Sequence, residues 1–239
     1  MSSSSLSGRH VVITGGAGAL GGAVVEAFLE AGATCHVPVK AAIPTGAEGG
    51  KIHYVPNVDL VDEAQVAGFY QSLPAPLWAS VHLAGGFAMG CLADVSLAQL
   101  RAQFEQNVTT AFLCCREAVR RFRADAAGGA PSDVGLGRLV QVASRSGLHP
   151  QTEQIPYSLS KAALVAMTVA MADELKSERI LVNAVAPGTM DTPANRKAMP
   201  SADPRTWVSP REVARAILWM ASPDNLSVSG VTLPIFGAA

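Results

Sequence analysis

Charge is scarce in this chain: 15% of its 239 residues are charged, 18 basic against 19 acidic, for a formal net charge of −1. No stripe of clustered lysine and arginine breaks that balance. A nucleic-acid or anionic-membrane partner is therefore not expected, since both are held chiefly by excess positive charge. Cysteine is sparse too. Cys35, Cys91, Cys114 and Cys115 show neither C-x-x-C spacing nor a companion histidine pattern, so no metal site is expected. Cys114 and Cys115 are adjacent and cannot readily pair, which leaves buried, reduced thiols in a reducing cytosol as the reading. The start, Met1-Ser2-Ser3-Ser4-Ser5, lacks a basic region followed by an apolar core, and the uncharged run at 10–25 is broken by glycines. Neither a secretory signal nor a membrane span is expected, and the protein is placed in the cytoplasm. Apolar material is what the chain has in quantity, 49% of residues, enough for a large core and a small-molecule partner.

Two short segments carry the chemistry. A glycine-rich turn, Thr14-Gly15-Gly16-Ala17-Gly18-Ala19-Leu20-Gly21, follows the first apolar run. Glycine is needed where the backbone must curl tightly and approach a pyrophosphate, whose charge is met by free amides at the next helix's N-terminus. Gly15 and Gly21 fit those roles, although such turns also arise for purely conformational reasons. The second segment is Tyr157-Ser158-Leu159-Ser160-Lys161, at the start of a long amphipathic stretch. Residues i and i+4 share a helix face, so the Lys161 ammonium should stabilise the Tyr157 phenolate and lower a pKa that is normally about 10. That makes an acid/base suited to carbonyl and alcohol chemistry.

Short apolar runs alternate with helical-period segments, the pattern of repeated strand-helix-strand units and a mainly parallel sheet. Strands are predicted at 10–14, 34–39, 52–56, 78–83, 138–143, 180–186 and 231–235. Helices are predicted at 19–31, 62–72, 97–107, 110–123, 157–176 and 210–221. The alanine- and glycine-rich piece at 124–131 reads as a loop between a helix and a strand, within one α/β domain.

On these motifs the chain resembles the short-chain dehydrogenase/reductase family over nearly its full length. The family's Thr-Gly-x-x-x-Gly-x-Gly pattern is met by Thr14, Gly15 and Gly21, with Ala19 in place of the middle glycine, a form similar to that of dihydropteridine reductases. The resemblance implies a doubly wound Rossmann fold: a seven-stranded parallel sheet with helices on both faces. It spans residues 1–239, with a serine-rich tail at 1–8 and a substrate loop or short, mobile lid at 188–208. It implies that the turn, with Gly18, Ala19 and Leu20, cradles the phosphates of NAD(P)(H). Asp59, followed by Leu60, is implied to accept a bond from the adenine amino group, with capping of the following helix as the plain alternative. Leu83-Ala84-Gly85-Gly86 resembles the segment beside the adenine ribose, so Ala84 and Gly85 are cofactor-binding candidates. Ser144, thirteen residues before Tyr157, matches the family's serine at a strand's C-terminal end. Asn107 matches the asparagine that interrupts the fourth helix and helps hold a water in a proton relay reaching Lys161. Pro187 and Thr192 resemble the family's contacts to the nicotinamide amide. Singly, each has a bland reading: Ser144 as a turn residue, Asn107 as a helix terminator, Tyr157 as a partly buried aromatic, Lys161 as a solvated helical lysine.

The expected activity is hydride transfer between a nicotinamide and a small or medium polar carbonyl compound or its alcohol. At the end of the second strand Val39 stands in the slot where an acidic residue would bind the ribose 2'-hydroxyl, and Lys40 follows, which favours NADP(H) over NAD(H). The absence of a basic residue at Gly18 pulls the other way. His149, Gln151, Met190 and Met199 are expected near the substrate, His149 as an incidental loop residue. A catalytically silent NAD(P)-binding sensor of the same fold is the alternative. Family members commonly form dimers or tetramers through helices corresponding to 110–123 and 157–176, so a homodimer or homotetramer is expected, with Leu164, Val165, Thr168, Met171, Ala172 and Leu175 as an apolar face on the second that packing on the sheet would equally explain.

Overall fold

The computed structural model describes residues 6–41, 50–130 and 134–238. The first five residues of the serine-rich tail and Pro131 of the 124–131 piece lie outside the described residues. The strands are β1 (His10–Thr14), β2 (Thr34–Pro38), β3 (Ile52–Val55), β4 (Leu77–His82), β5 (Gly137–Val142), β6 (Ile180–Pro187) and β7 (Thr232–Ile235). They form one parallel sheet in the order β3-β2-β1-β4-β5-β6-β7. The chain runs outward from β1 to β3, returns to β4, and runs outward the other way. Between β1 and β4 that reversal opens a crevice at the strands' carboxyl ends.

Helices cover both faces. One face is built on α1 (Ala19–Glu30) and α8 (Pro210–Ala221), whose Val24, Phe28, Val213 and Ile217 bury against Val11, Ile13, Val37, Val81 and Val140. The other face carries α2 (Glu63–Gln71), α4 (Thr110–Ala127) and α6 (Ile155–Glu174), whose Phe69, Tyr70, Leu113, Phe122 and Ala172 close over Val12, Leu139 and Val182. Alternate residues along a strand go to opposite faces, so the central strands are buried on both sides, chiefly through apolar residues, with Ser80, His82, Arg138 and Gln141 as buried polar ones. Side chains cap most of the helices: Asp62 accepts from Ala64 and Gln65 at α2, and Ser209 with Glu212 forms a capping box at α8. Arg121 gathers the far end of α2, donating to the carbonyls of Tyr70, Leu73 and Ala75 and to Asp125.

Several elements depart from the sequence reading. The predicted helix at 97–107 ends early as α3 (Leu97–Phe104) and passes through a π-helical turn, Glu105–Thr109, into α4. Helix α4 continues to Ala127, absorbing the first part of the piece read as a loop. Two short helices, α5 (Arg145–Leu148) and α7 (Pro193–Ala198), lack enough turns to leave a periodic trace in the sequence. Of the apolar face read on α6, Leu164, Thr168, Ala172 and Leu175 are buried within the fold and Val165 and Met171 are half-buried, while Leu159 and Val169 face out. Helix α6 is long and apolar enough to cross a membrane by length and composition, but it lies along β6 and α3 and buries Ser160 and Lys161. Cys35, Cys114 and Cys115 are buried and free, whereas Cys91 is exposed, its thiol donating to Glu153.

Three histidines stack across β1, β2 and β3. The rings of His10 and His36 are 5.1 Å apart, those of His36 and His53 are 5.2 Å apart, and His10 Nδ1 lies 2.8 Å from His36 Nε2. Burial, then the charges of His10, His53 and Arg121, push His36 down to about 4. Burial pushes His82 down to about 3, and neither ring nitrogen of His82 has a hydrogen-bond partner among the described residues. Both are neutral at pH 7, and the unfolded chain takes up their protons first as pH falls below the ordinary value of 6.5. Their contribution to stability is therefore complete above that value and is lost as pH falls toward the folded values. We expect a loss of about 2 kcal/mol per histidine between pH 7 and pH 5, read from urea midpoints, with His82→Leu flattening the profile. An unchanged midpoint over that range would show that these imidazoles are not held neutral.

Candidate active site

The ends of β1 and β4 are latched together before any helix contributes. Thr14 Oγ1 accepts from the amides of Leu83 at 3.1 Å and Ala84 at 3.2 Å. Gly15 follows in the left-handed region at φ 67°, and a β-carbon there would meet Ala84 N at 2.8 Å. A side chain at Gly21 would run into the backbone of Gly15 and Gly16. Glycine is thus required at both positions by close backbone approach. Gly18 is the N-cap of α1 and supplies no side-chain bond, and the first turn, beginning with Ala19 and Leu20, carries no acidic residue. Its leading amides are left to whatever approaches from the crevice, unlike those of α2, α7 and α8, which side chains satisfy.

Beside this turn lies a cavity of about 250 Å³. Asn107, Ser144, Tyr157 and Lys161 all line it, together with Leu20, Gly85 and Pro187. The sequence had singled out Met190 as a pocket residue, and it lines the cavity as well. Gly86 and Gly188, from the two segments that the sequence had placed beside the adenine ribose and the substrate, line it too, as do Phe87 and Val142, which were not singled out. Phe87 follows two glycines beyond the carboxyl end of β4, and that position was the signal available.

Each polar group is aimed by backbone. Asn107 sits fully buried in the π-helical turn: its Oδ1 accepts from Gly86 N at 3.0 Å, and its Nδ2 donates to Gly86 O and to Ser160 Oγ, each at 3.0 Å. Ser160 in turn donates to the carbonyl of Tyr157 at 2.8 Å. Ser144 is the N-cap of α5, accepting from Ser146 N at 3.2 Å, and is hydrogen-bonded to the Tyr157 phenol. Lys161 is buried, with its ammonium donating to Val142 O at 2.8 Å and lying 5.9 Å from the Tyr157 ring centroid. A β-carbon on Gly147 would meet the Lys161 carbonyl carbon at 2.8 Å, so α5 seats directly on this turn of α6.

The electrostatics differ from the sequence expectation. Tyr157 is pushed above its ordinary value of 10 by burial, against a downward pull from the Ser144 bond. Lys161 is pushed down to about 8, also by burial. Desolvation disfavours the charged form of both groups, and the ammonium, turned to a carbonyl, does not lower the phenol as the i, i+4 spacing suggested.

The remaining candidates lie outside the cavity lining. Lys40 and Asp59 pair at 2.6 Å, which holds the Asp59 carboxyl below its usual range. Asp62, and not Asp59, caps α2. Leu60 packs on the core under α2, and Thr192 is buried as the N-cap of α7, accepting from Asn195 N at 3.2 Å. His149 leaves the reacting groups and packs its ring on Phe236 at 5.9 Å. The loop at 188–208 contains α7 and a 3-10 turn, and its ends join in a bridge between Met190 and Val208.

A family model described as short chain dehydrogenase matches residues 9–203. The chain belongs to the short chain dehydrogenase family. Its relatives include the Escherichia coli (strain K12) oxidoreductase YgfF, 29% identical with 95% of this chain and 98% of that one covered. A rhamnolipids biosynthesis 3-oxoacyl-[acyl-carrier-protein] reductase of Pseudomonas aeruginosa is 28% identical, with 98% and 96% covered. Among solved structures, one described as ElxO with NADP bound superposes with a TM-score of 0.84 at 23% identity over 96% of this chain and 97% of that one, a likeness of fold. As a short chain dehydrogenase the protein is in an oxidoreductase family, and its crevice at the β1/β4 reversal is where that fold takes a dinucleotide.

Because Asn107 bonds the amide and the carbonyl of half-buried Gly86 as well as buried Ser160, Asn107→Ala removes all three bonds at once. The expected loss is about 2–4 kcal/mol in urea unfolding, and a change under about 0.5 kcal/mol would mean that the loop is held by something else.

Proposed function

We propose that this protein is an NADP(H)-linked reductase or dehydrogenase that interconverts a carbonyl compound and its alcohol, with Tyr157 as general acid and base. The observation that carries the reading is the convergence of Ser144, Tyr157, Lys161 and Asn107 on one cavity beside an uncapped glycine turn. The turn fits a dinucleotide: a β-carbon at Gly15 or Gly21 would fill the cradle, and the first amides of α1 have no side-chain partner. Gly15, Gly18, Ala19, Leu20 and Gly21 would hold its phosphates, Ala84 and Gly85 its adenine ribose, and Pro187 and Thr192 its amide end. When bound, a nicotinamide supplies or takes up the hydride.

The chain's own residues manage the proton. Tyr157, a phenol whose hold on its proton burial strengthens, gives that proton to the carbonyl oxygen in reduction and takes it back in alcohol oxidation. Ser144, already bonded to the phenol, is placed to hydrogen-bond the same oxygen as charge builds on it. Lys161 remains protonated up to about 8 and, lining the cavity with its ammonium on Val142 O, would orient the nicotinamide ribose. Asn107 and Ser160 hold the backbone at both sides of these groups.

Tyr157→Phe keeps the ring and removes the proton. We expect it to bind NADPH as the parent does and to lose about 10²–10⁴-fold in turnover on a panel of carbonyls followed at the nicotinamide absorbance. Equal turnover in the two proteins would remove Tyr157 from this role, and an absence of turnover in both would favour a cofactor-binding sensor.

For the cofactor, the paired Lys40 and Asp59 support a 2'-phosphate contact by Lys40 and an adenine contact by Asp59. Lys40 is 77% exposed, so its ion pair holds it weakly and is readily exchanged for a phosphate. We expect NADP to raise the melting temperature more than NAD, and Lys40→Ala to weaken NADP binding by roughly ten-fold. A larger rise with NAD would reverse the assignment.

A further inference from the structure

Phe87 is a large apolar side chain left 57% exposed beside the reacting phenol. Its ring stands at 87° to that of Tyr157, with centroids 4.8 Å apart, an edge-to-face pair. The segment that carries it is anchored at both ends. Gly86 is held through its amide and its carbonyl by Asn107, and Gly90 donates to Glu153 O at 2.8 Å. Residues 86–90 are therefore tethered at both ends, and they show solvent two apolar side chains, Phe87, which lines the cavity, and Met89, 53% exposed. Met190 lines the same cavity from the β6 side.

Charge is scarce around this opening. Lys161 is the one charged side chain among the described residues lining the cavity, and its ammonium is already engaged by Val142 O. A substrate carboxylate entering here would give up its water for a single buried ammonium, one of whose three donors is already taken, and a buried pair of that kind gains little. A flat apolar group, by contrast, would cover a ring that the free protein leaves wet, and Met190 adds a polarizable thioether to that surface.

We propose that Phe87 determines substrate specificity and that the site takes neutral ketones or aldehydes carrying an aryl or similarly flat apolar group next to the carbonyl, together with the corresponding alcohols. The proposal rests on the reductase reading above for its chemistry and departs from the polar carbonyl compound expected from sequence. The reaction is the one already described: the carbonyl carbon gains a hydride from the reduced nicotinamide, and the oxygen gains the Tyr157 proton. Phe87 acts on which molecule is held, not on the transfer.

The test compares acetophenone, 2-butanone and pyruvate as substrates with NADPH, for the parent, Phe87→Ala and Phe87→Tyr. The parent is expected to prefer acetophenone over both others by roughly ten-fold or more in kcat/KM. Phe87→Ala should bring the ratios close to one, chiefly through a higher KM for acetophenone, and Phe87→Tyr should retain the preference. A parent that prefers pyruvate, or an unchanged ratio in Phe87→Ala, overturns the proposal. Binding supplies a readout independent of turnover: acetophenone titrated onto each protein with NADP⁺, where no reduction can occur, and followed by ligand-observed NMR. Binding weakened roughly ten-fold in Phe87→Ala supports the proposal, and equal or absent binding overturns it. Loss of the reductase reading has a different signature, since it appears as undiminished turnover in Tyr157→Phe while the Phe87 dependence of binding stands.

Discussion

A single amide side chain ties the three walls of the crevice together. Asn107 takes both hydrogen-bonding groups of Gly86 and one lone pair of Ser160, and through Ser160 it reaches the carbonyl of Tyr157. It can do so because the helix leaves the α-helical ladder over Glu105–Thr109, a π-helical turn that alters which face its residues present. The segment after β4, the start of α4 and the first turns of α6 are therefore set relative to one another by bonds that converge on one fully buried side chain. The Thr14 latch between β1 and β4 does the same on the glycine-turn side.

Against that rigid frame, the two titratable groups are governed by burial more than by each other. The phenol is raised and the ammonium lowered for the same reason, the scarcity of solvent, and each is steadied by one hydrogen bond, to Ser144 and to Val142 O. Bringing charge into such a place changes its balance, because a negative oxygen near Lys161 finds a cation that is itself short of solvation. The cavity lining continues this economy of charge with Phe87, Met190 and Leu20.

The strands and long helices were legible because apolar runs and helical periods survive in the sequence, and the seven strands fall within about two residues of their predicted places. The glycine turn was legible for a local reason: the left-handed Gly15 and the crowded Gly21 both require the missing side chain. Tyr157 and Lys161 were candidates by spacing and Ser144 and Asn107 by the family resemblance, and the four share one cavity. Long-range pairing was not legible. Nothing local says that Lys40 meets Asp59, that Gly90 meets Glu153, or that Phe87 folds back onto Tyr157, since each joins segments that only the tertiary fold brings together. The inward turn of Leu164, Thr168 and Leu175 shows the same limit, because an apolar stripe on a helix does not say whether a sheet or another molecule covers it.

The bridge between Met190 and Val208 has a consequence for how such a molecule diversifies. Val208 N donates to Thr189 O and Asp191 N donates to Val208 O, so the excursion holding α7 leaves β6 and returns to α8 through a neck sewn shut at its base. The two ends of the excursion stay together whatever lies between them. The segment is thereby a replaceable cassette: its residues, Met199 among them, are open to alteration generation by generation while the proton-handling groups on α5 and α6 stay where they are.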